Sequence, residues 1–96
     1  MMNQLDKFKN YIDNRKESVK VGLVGAGQMG QGIVAQVSKM YGVELVCIVD
    51  RNQEQLNSAA DRYKNLKNNQ PVCSDSISAL DNVELDIVIE ATGTPA

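Results

Sequence analysis

Gly25-Ala26-Gly27-Gln28-Met29-Gly30, entered from Val19-Lys20-Val21-Gly22-Leu23-Val24, is the stretch that decides the reading of this chain. The six residues fit G-x-G-x-x-G, a pattern that by itself recurs by chance wherever glycines cluster. Here a short Val-rich run precedes it, of the kind buried on both faces of a parallel sheet. Behind it Ile33, Val34, Val37 and Met40 recur at helical spacing. Strand, glycine turn and helix, in that order, are the context the pattern requires. Gly22, inside the strand, reads as a close strand–helix contact with no functional role.

The three glycines have separable jobs. Gly25 allows a tight turn, Gly27 lets the backbone approach a pyrophosphate, and Gly30 lets the helix pack close to the strand. The pyrophosphate would then meet the N–H groups of Gln28 and Met29 at the positive end of the helix. Asp50 closes the next apolar run 20 residues beyond Gly30, where a carboxylate reaches a ribose hydroxyl. The plainer alternatives are a glycine turn kept for packing and a turn or capping carboxylate at Asp50. Asp50 favours NAD. The adjacent Arg51 either pairs with the 2′-phosphate of NADP or is a solvated loop cation. The choice between NAD and NADP therefore stays open.

Outward from the loop, Gly42 is placed to cap the first helix. Val43–Val49 forms a second apolar run. Asn52 with Gln55 resembles a capping box, and Leu56, Ala59, Ala60 and Tyr63 mark the buried stripe of a second helix. The polar stretch 65–70 is a loop. Pro71, Val72 and Cys73 make a short third strand, and Asp75 or Ser76 caps a brief helix carrying Ile77 and Leu80. Asp86–Glu90 supplies a fourth strand. Such alternation implies parallel pairing through right-handed crossovers. The expected fold is α/β, a Rossmann-type doubly wound parallel sheet of about four strands in the order 3-2-1-4, with helices on both faces, and truncated. It occupies 19–96. Residues 1–18 form a leading helix, with Leu5, Phe8 and Ile12 on one face beside Tyr11.

In that strand order the crevice opens between strands one and four at their carboxyl ends. The exit there is Glu90-Ala91-Thr92-Gly93. Ala91 and Gly93 leave room for a nicotinamide ribose and Thr92 offers a hydroxyl; the bland alternative is a turn before Pro95. A buried Glu90 would have a raised pKa, although a structural role is the preferred expectation. Asp75 lies either near the adenine or at a helix cap, the cap being preferred.

With 43% apolar and 23% charged residues among 96, and a net charge of −2, the composition is that of one small globular domain. No basic patch suits a nucleic-acid groove or an anionic membrane. The apolar runs fall short of the ~20 residues that span a bilayer. The polar N-terminus lacks a signal peptide's apolar core, so a cytoplasmic location is expected. Cys47 and Cys73 read as buried structural thiols. The absence of histidine removes imidazole bases and most zinc sites, and no metal site is expected.

Val21-Gly22-Leu23-Val24-Gly25-Ala26-Gly27-Gln28-Met29-Gly30-Gln31-Gly32, then Val49-Asp50-Arg51, then Asp86-Ile87-Val88-Ile89-Glu90-Ala91-Thr92-Gly93-Thr94-Pro95-Ala96, resembles the start of homoserine-dehydrogenase-like oxidoreductases. Within them it is most similar to the branch that carries a C-terminal SAF domain and includes deoxyxylulose-phosphate-reductoisomerase-like enzymes. The leading helix suits that branch. The resemblance implies a nicotinamide cofactor, NADPH in the reductoisomerase-like members, and a polyol or sugar-phosphate type of substrate. It places cofactor binding at Gly25, Gly27, Gln28, Met29, Asp50, Thr92 and Gly93. Proteins of that kind continue well beyond this length into substrate and SAF domains. This chain is accordingly expected to be an inactive fragment of an active parent, with no assignable catalytic residue.

The expected function is dinucleotide binding for an NAD(P)-dependent oxidoreductase that acts on a small polyol, sugar-phosphate or hydroxy/oxo substrate. A non-catalytic nucleotide-sensing module is one rival. A structural remnant that pairs with another chain through its sheet edge is a second, and a binder of S-adenosylmethionine or CoA is a third. A second copy of the chain counts among the candidate partners.

Overall fold

The computed structural model describes Lys7 and residues 18–92. The expected leading helix, apart from Lys7 and a non-helical Ser18, and the expected site residue Gly93 lie outside the described residues.

The apolar run before the glycines forms β1 (Val19–Val24), and the helix after them is α1 (Gln28–Lys39). Then follow β2 (Val43–Val49), α2 (Gln53–Lys67), β3 (Val72–Ser74), a 3₁₀ helix (Ile77–Asn82) and β4 (Ile87–Glu90). The four strands pair in parallel in the order β3-β2-β1-β4. Consecutive strands with intervening helices step one way from β1 to β3, and the chain then crosses back to put β4 on the other side of β1.

Side-chain alternation along β1 sorts the layers. A Cβ on Gly30 of α1 would lie 3.8 Å from Leu23 Cδ2, so Leu23 faces α1. A Cβ on Gly22, pointing to the opposite face, would lie 2.9 Å from Leu85 Cδ1 and 3.1 Å from Leu80 Cδ2. The main core is therefore the layer between the sheet and the two α-helices. Val19, Val21, Leu23, Leu45 and Ile48 of the strands meet Val34 and Val37 of α1 and Leu56, Ala59 and Tyr63 of α2, all buried. These are the periodic positions read from the sequence. The second face has a thinner cover among the described residues, the 3₁₀ helix and Leu85. On that face Val72 and Val88, aligned through the strand register with Cys47 and Gly22, remain about half exposed.

Some local details differ from expectation. α1 ends at Lys39 with Met40 as its C-cap, two residues before Gly42. Gly42 (φ 81°) instead turns the chain into β2, and its carbonyl accepts from Val19 N–H at 2.8 Å. At the head of α2, Asn52 Oδ1 accepts from Gln55 N–H at 3.0 Å, but the reciprocal half of the capping box is missing. The Asn52 N–H goes to Asp50 Oδ1 at 2.7 Å. Ser76, not Asp75, caps the 3₁₀ helix through Ser78 N–H. Cys47 is buried as expected, but Cys73 is exposed. It sits on β3, a three-residue strand at the sheet margin, where no further strand among the described residues pairs on one side.

The register of β1 on β2 skips one residue, so that Val21 pairs with Leu45 and Gly22 with Cys47. An irregularity of this kind leaves ladder groups unpaired. Tyr63 of α2 compensates: its buried Oη accepts the Leu45 N–H at 2.9 Å. Burial pushes the Tyr63 phenol up, so it stays protonated. Tyr63→Phe strands a buried N–H and is expected to destabilise the domain by about 1–3 kcal/mol. Urea unfolding measures this; an unchanged midpoint would remove the hydroxyl from the account of the irregularity.

Candidate functional site

The carboxyl ends of the strands are tied together by backbone bonds around the glycine turn. Gly25 N–H donates to Val49 O at 2.8 Å, Ala91 N–H to Val24 O at 2.7 Å, and Asp50 N–H to Ser74 O at 3.1 Å. These bonds bring Gly25, Asp50 and Ala91, residues far apart in sequence, to one end of the sheet.

Each glycine of the motif meets a different environment. Gly25 has φ 104°, a conformation that side chains rarely adopt. A Cβ there would also lie 2.8 Å from the Ala91 carbonyl carbon and oxygen, so the strand-four exit packs directly on the turn. A Cβ on Gly30 would lie 2.0 Å from the Gly25 carbonyl oxygen. The close approach made by Gly30 is thus to the turn itself more than to the strand side chains. Gly27 is unlike both. Its φ and ψ, −74° and −159°, are extended, and a Cβ would find only the end of Gln55 at 3.8 Å. Neither backbone strain nor packing against the described residues requires glycine there.

Gly27 is the N-cap of α1 and offers no side-chain cap, and the first turn carries no acid. α2, by contrast, has a capping Asn52 and Glu54 in its first turn. The first N–H groups of a helix have no intrahelical acceptor, and they carry a partial positive charge. The start of α1 is therefore suited to an anion. Gln28 and Met29 are exposed at this position. Beside the loop an open groove of about 330 Å³ is lined by Ala26, Gly27, Gln28, Gln31, Glu54, Gln55, Ser58 and Arg62.

Asp50 does more than end β2. Its Oδ2 accepts the Ala26 N–H at 2.6 Å while Oδ1 accepts the Asn52 N–H at 2.7 Å. One carboxylate thereby ties the glycine loop to the turn leading into α2. Arg51 is exposed and makes no hydrogen bond or ion pair with the described residues. Ala91 is buried against Gly25, and Thr92 is exposed. Glu90 is exposed, so the raised pKa that burial would bring does not arise. Its carboxylate accepts from both the Thr92 hydroxyl and the Thr92 N–H, and these bonds hold its pKa below the usual carboxylate range. An exposed strand-end acid of that kind is a turn cap.

Sequence reasoning missed Gln31 and Gln55, which lie beyond the six-residue pattern. Gln31 Nε2 donates to Ala26 O at 3.1 Å and to Gln55 O at 3.3 Å. Only the polar character of Gln31, one position after Gly30 on an otherwise apolar-facing helix start, could have signalled it.

A parallel 3-2-1-4 sheet with a glycine loop open at a helix start defines the class: a dinucleotide-binding α/β domain. The family model for the N-terminus of dihydrodipicolinate reductase matches residues 19–96, and the chain belongs to that family. The matched span takes in the glycine loop, Asp50 and the strand-four exit. Among solved structures the chain is similar to an oxidoreductase from Agrobacterium radiobacter, crystallised in complex with NAD+, L-tartaric acid and magnesium. The TM-score is 0.67 at 20% identity over 78% of this chain, a likeness that speaks to the fold alone. This chain spans about a fifth (21%) of that structure's length. No curated protein matches the chain. No helix among the described residues is long and apolar enough to cross a membrane.

Proposed function

We propose that this chain binds the dinucleotide for a cytoplasmic oxidoreductase that moves hydride between NAD(P) and a small polyol, sugar-phosphate or hydroxy/oxo substrate. The observation that carries the reading is Gly27. It is a glycine that the chain's own φ and packing do not need, at the open start of α1. Space held free of side chain at that point suits a pyrophosphate, which would accept from the N–H groups of Gly27, Gln28 and Met29. Gly25 and Gly30 shape the turn. Asp50 faces the adenosine ribose, with Arg51 beside it for a 2′-phosphate. Ala91, Thr92 and Gly93 border the nicotinamide ribose. The cofactor supplies the hydride, and the chain's residues bind and orient it. The substrate class rests on the resemblance of 86–96 to SAF-bearing homoserine-dehydrogenase-like enzymes. Residues 19–96 form the binding domain.

Calorimetric titration of the purified chain with NAD, NADH, NADP and NADPH tests the reading. Saturable binding of one pair supports it and fixes the preference; no binding to any of the four argues against it. Association of copies without nucleotide binding would instead favour pairing through the margin of β4. Asp50→Ala is expected to weaken NAD about 10-fold, the loss of a charge-assisted hydrogen bond. NADP should weaken less, by the share due to the lost Ala26 and Asn52 contacts. Equal losses would remove Asp50 from the ribose site.

A further inference from the structure

We infer that Gln31 is a positioning residue for the dinucleotide: its side-chain amide fixes the Ala26–Gly27 peptide that the pyrophosphate must meet. The inference rests on the reading of the glycine loop as the dinucleotide site.

Ala26, between the two glycines, is fully buried and gripped from both sides. Its N–H goes to Asp50 Oδ2 at 2.6 Å and its carbonyl accepts from Gln31 Nε2 at 3.1 Å. The second Nε2 hydrogen goes to Gln55 O at 3.3 Å, which connects the loop to the first turn of α2. Two carbonyl acceptors fix which way the amide faces. Turned over, Oε1 would oppose both carbonyl oxygens. In the orientation that remains, Oε1 is buried with no partner.

That orphaned oxygen is informative. A buried unsatisfied acceptor is destabilising, and methionine would fill nearly the same volume without one. Glutamine is therefore kept for the bonds its amide donates and not for its volume. What the amide provides, and methionine does not, is a donor to the Ala26 carbonyl. That carbonyl belongs to the same planar trans peptide as the Gly27 N–H, so fixing one direction fixes the other. Gln31 holds the carbonyl towards its own side-chain amide and thereby sets where the Gly27 N–H points. A loop ordered before binding does not have to be ordered by the ligand.

The test is Gln31→Met, with Gln31→Glu as a second variant, in the purified chain. Thermal melts and calorimetric titrations would be run with NADH, ADP-ribose and AMP. Gln31→Met is expected to melt close to the unchanged chain, because losing the orphaned Oε1 offsets the Ala26 carbonyl that is left without its donor. It should bind NADH and ADP-ribose, which share the pyrophosphate, each about 10-fold more weakly. AMP, which has no pyrophosphate, should change by less than about 2-fold on the same affinity scale. Gln31→Glu sets a carboxylate against two carbonyl oxygens and should weaken NADH further. Unchanged NADH affinity in Gln31→Met overturns the inference while leaving the dinucleotide site intact. A lower melting temperature with equal losses for AMP and NADH also overturns it, because packing would then explain the residue. Failure of the unchanged chain to bind any dinucleotide overturns both the inference and the reading beneath it.

Discussion

Gly30→Ala is expected to lower the melting temperature of the domain by about 12 °C or more. The added methyl would stand 2.0 Å from the Gly25 carbonyl oxygen, and the atom it meets is backbone. No rotamer change relieves that contact. Either α1 moves away from the turn or the turn opens. The turn cannot open cheaply, because Gly25 N–H is bonded to Val49 O and the Ala91 backbone lies against Gly25 on its other side. Overpacking of an ordinary core costs about 1–3 kcal/mol; a methyl wedged against fixed backbone belongs at the upper end, about 3 kcal/mol. For a domain of this size each kcal/mol moves the midpoint by roughly 4–8 °C. Circular dichroism melts of the two proteins measure the shift. A variant that melts within 2–3 °C, roughly half a kcal/mol on that scale, would mean that the loop is looser than the structure shows.

Gly27→Val should have the opposite profile. It is expected to melt close to the unchanged chain and to bind dinucleotide roughly 100-fold more weakly, a loss of about 2.7 kcal/mol. The backbone at Gly27 is already in a region open to valine, and the nearest atoms to a new Cβ are those of the Gln55 side-chain amide at 3.8 Å. The chain therefore tolerates the substitution, but a pyrophosphate approaching the first N–H groups of α1 would meet the isopropyl group. The pair of variants separates two kinds of glycine, one kept for the fold and one for a ligand. If Gly27→Val bound NADH as tightly as the unchanged chain, the glycine loop would lose its assignment. If it failed to fold, the open space at Gly27 would be wrong.

Much of this was legible in order along the chain. The Val19–Val24 run, the glycines and the helical stripe of Ile33, Val34, Val37 and Met40 gave the first β-α unit. The β2 limits, Val43 and Val49, and the buried Leu56, Ala59, Ala60 and Tyr63 of α2 followed from the same periodicities. The 3-2-1-4 order followed from alternation together with the handedness of crossovers. Less legible were the ends and margins. The α1 terminus ran shorter than the Gly42 signal suggested, because glycine serves a tight turn into a strand as readily as a helix cap. Cys73 looked buried because it stands inside a candidate strand, but among the described residues that strand is three residues long and lies at the sheet margin.

The sequence by itself determined what depends on neighbours in the chain: element type, element order, the amphipathic faces and the glycine turn at the start of α1. These rest on periods of two and 3.6 residues and on the φ preferences of glycine, all of which are local. Only the tertiary structure decided which partner each polar group finds. Asp50 on Ala26 and Gln31 on Gln55 each bridge 24 positions, and Tyr63 on Leu45 bridges 18. Their distances are set by how α1 and α2 settle on the sheet. A hydrogen bond has to be met within a few tenths of an ångström, and a pattern of apolar spacings specifies a buried face without specifying position to that tolerance.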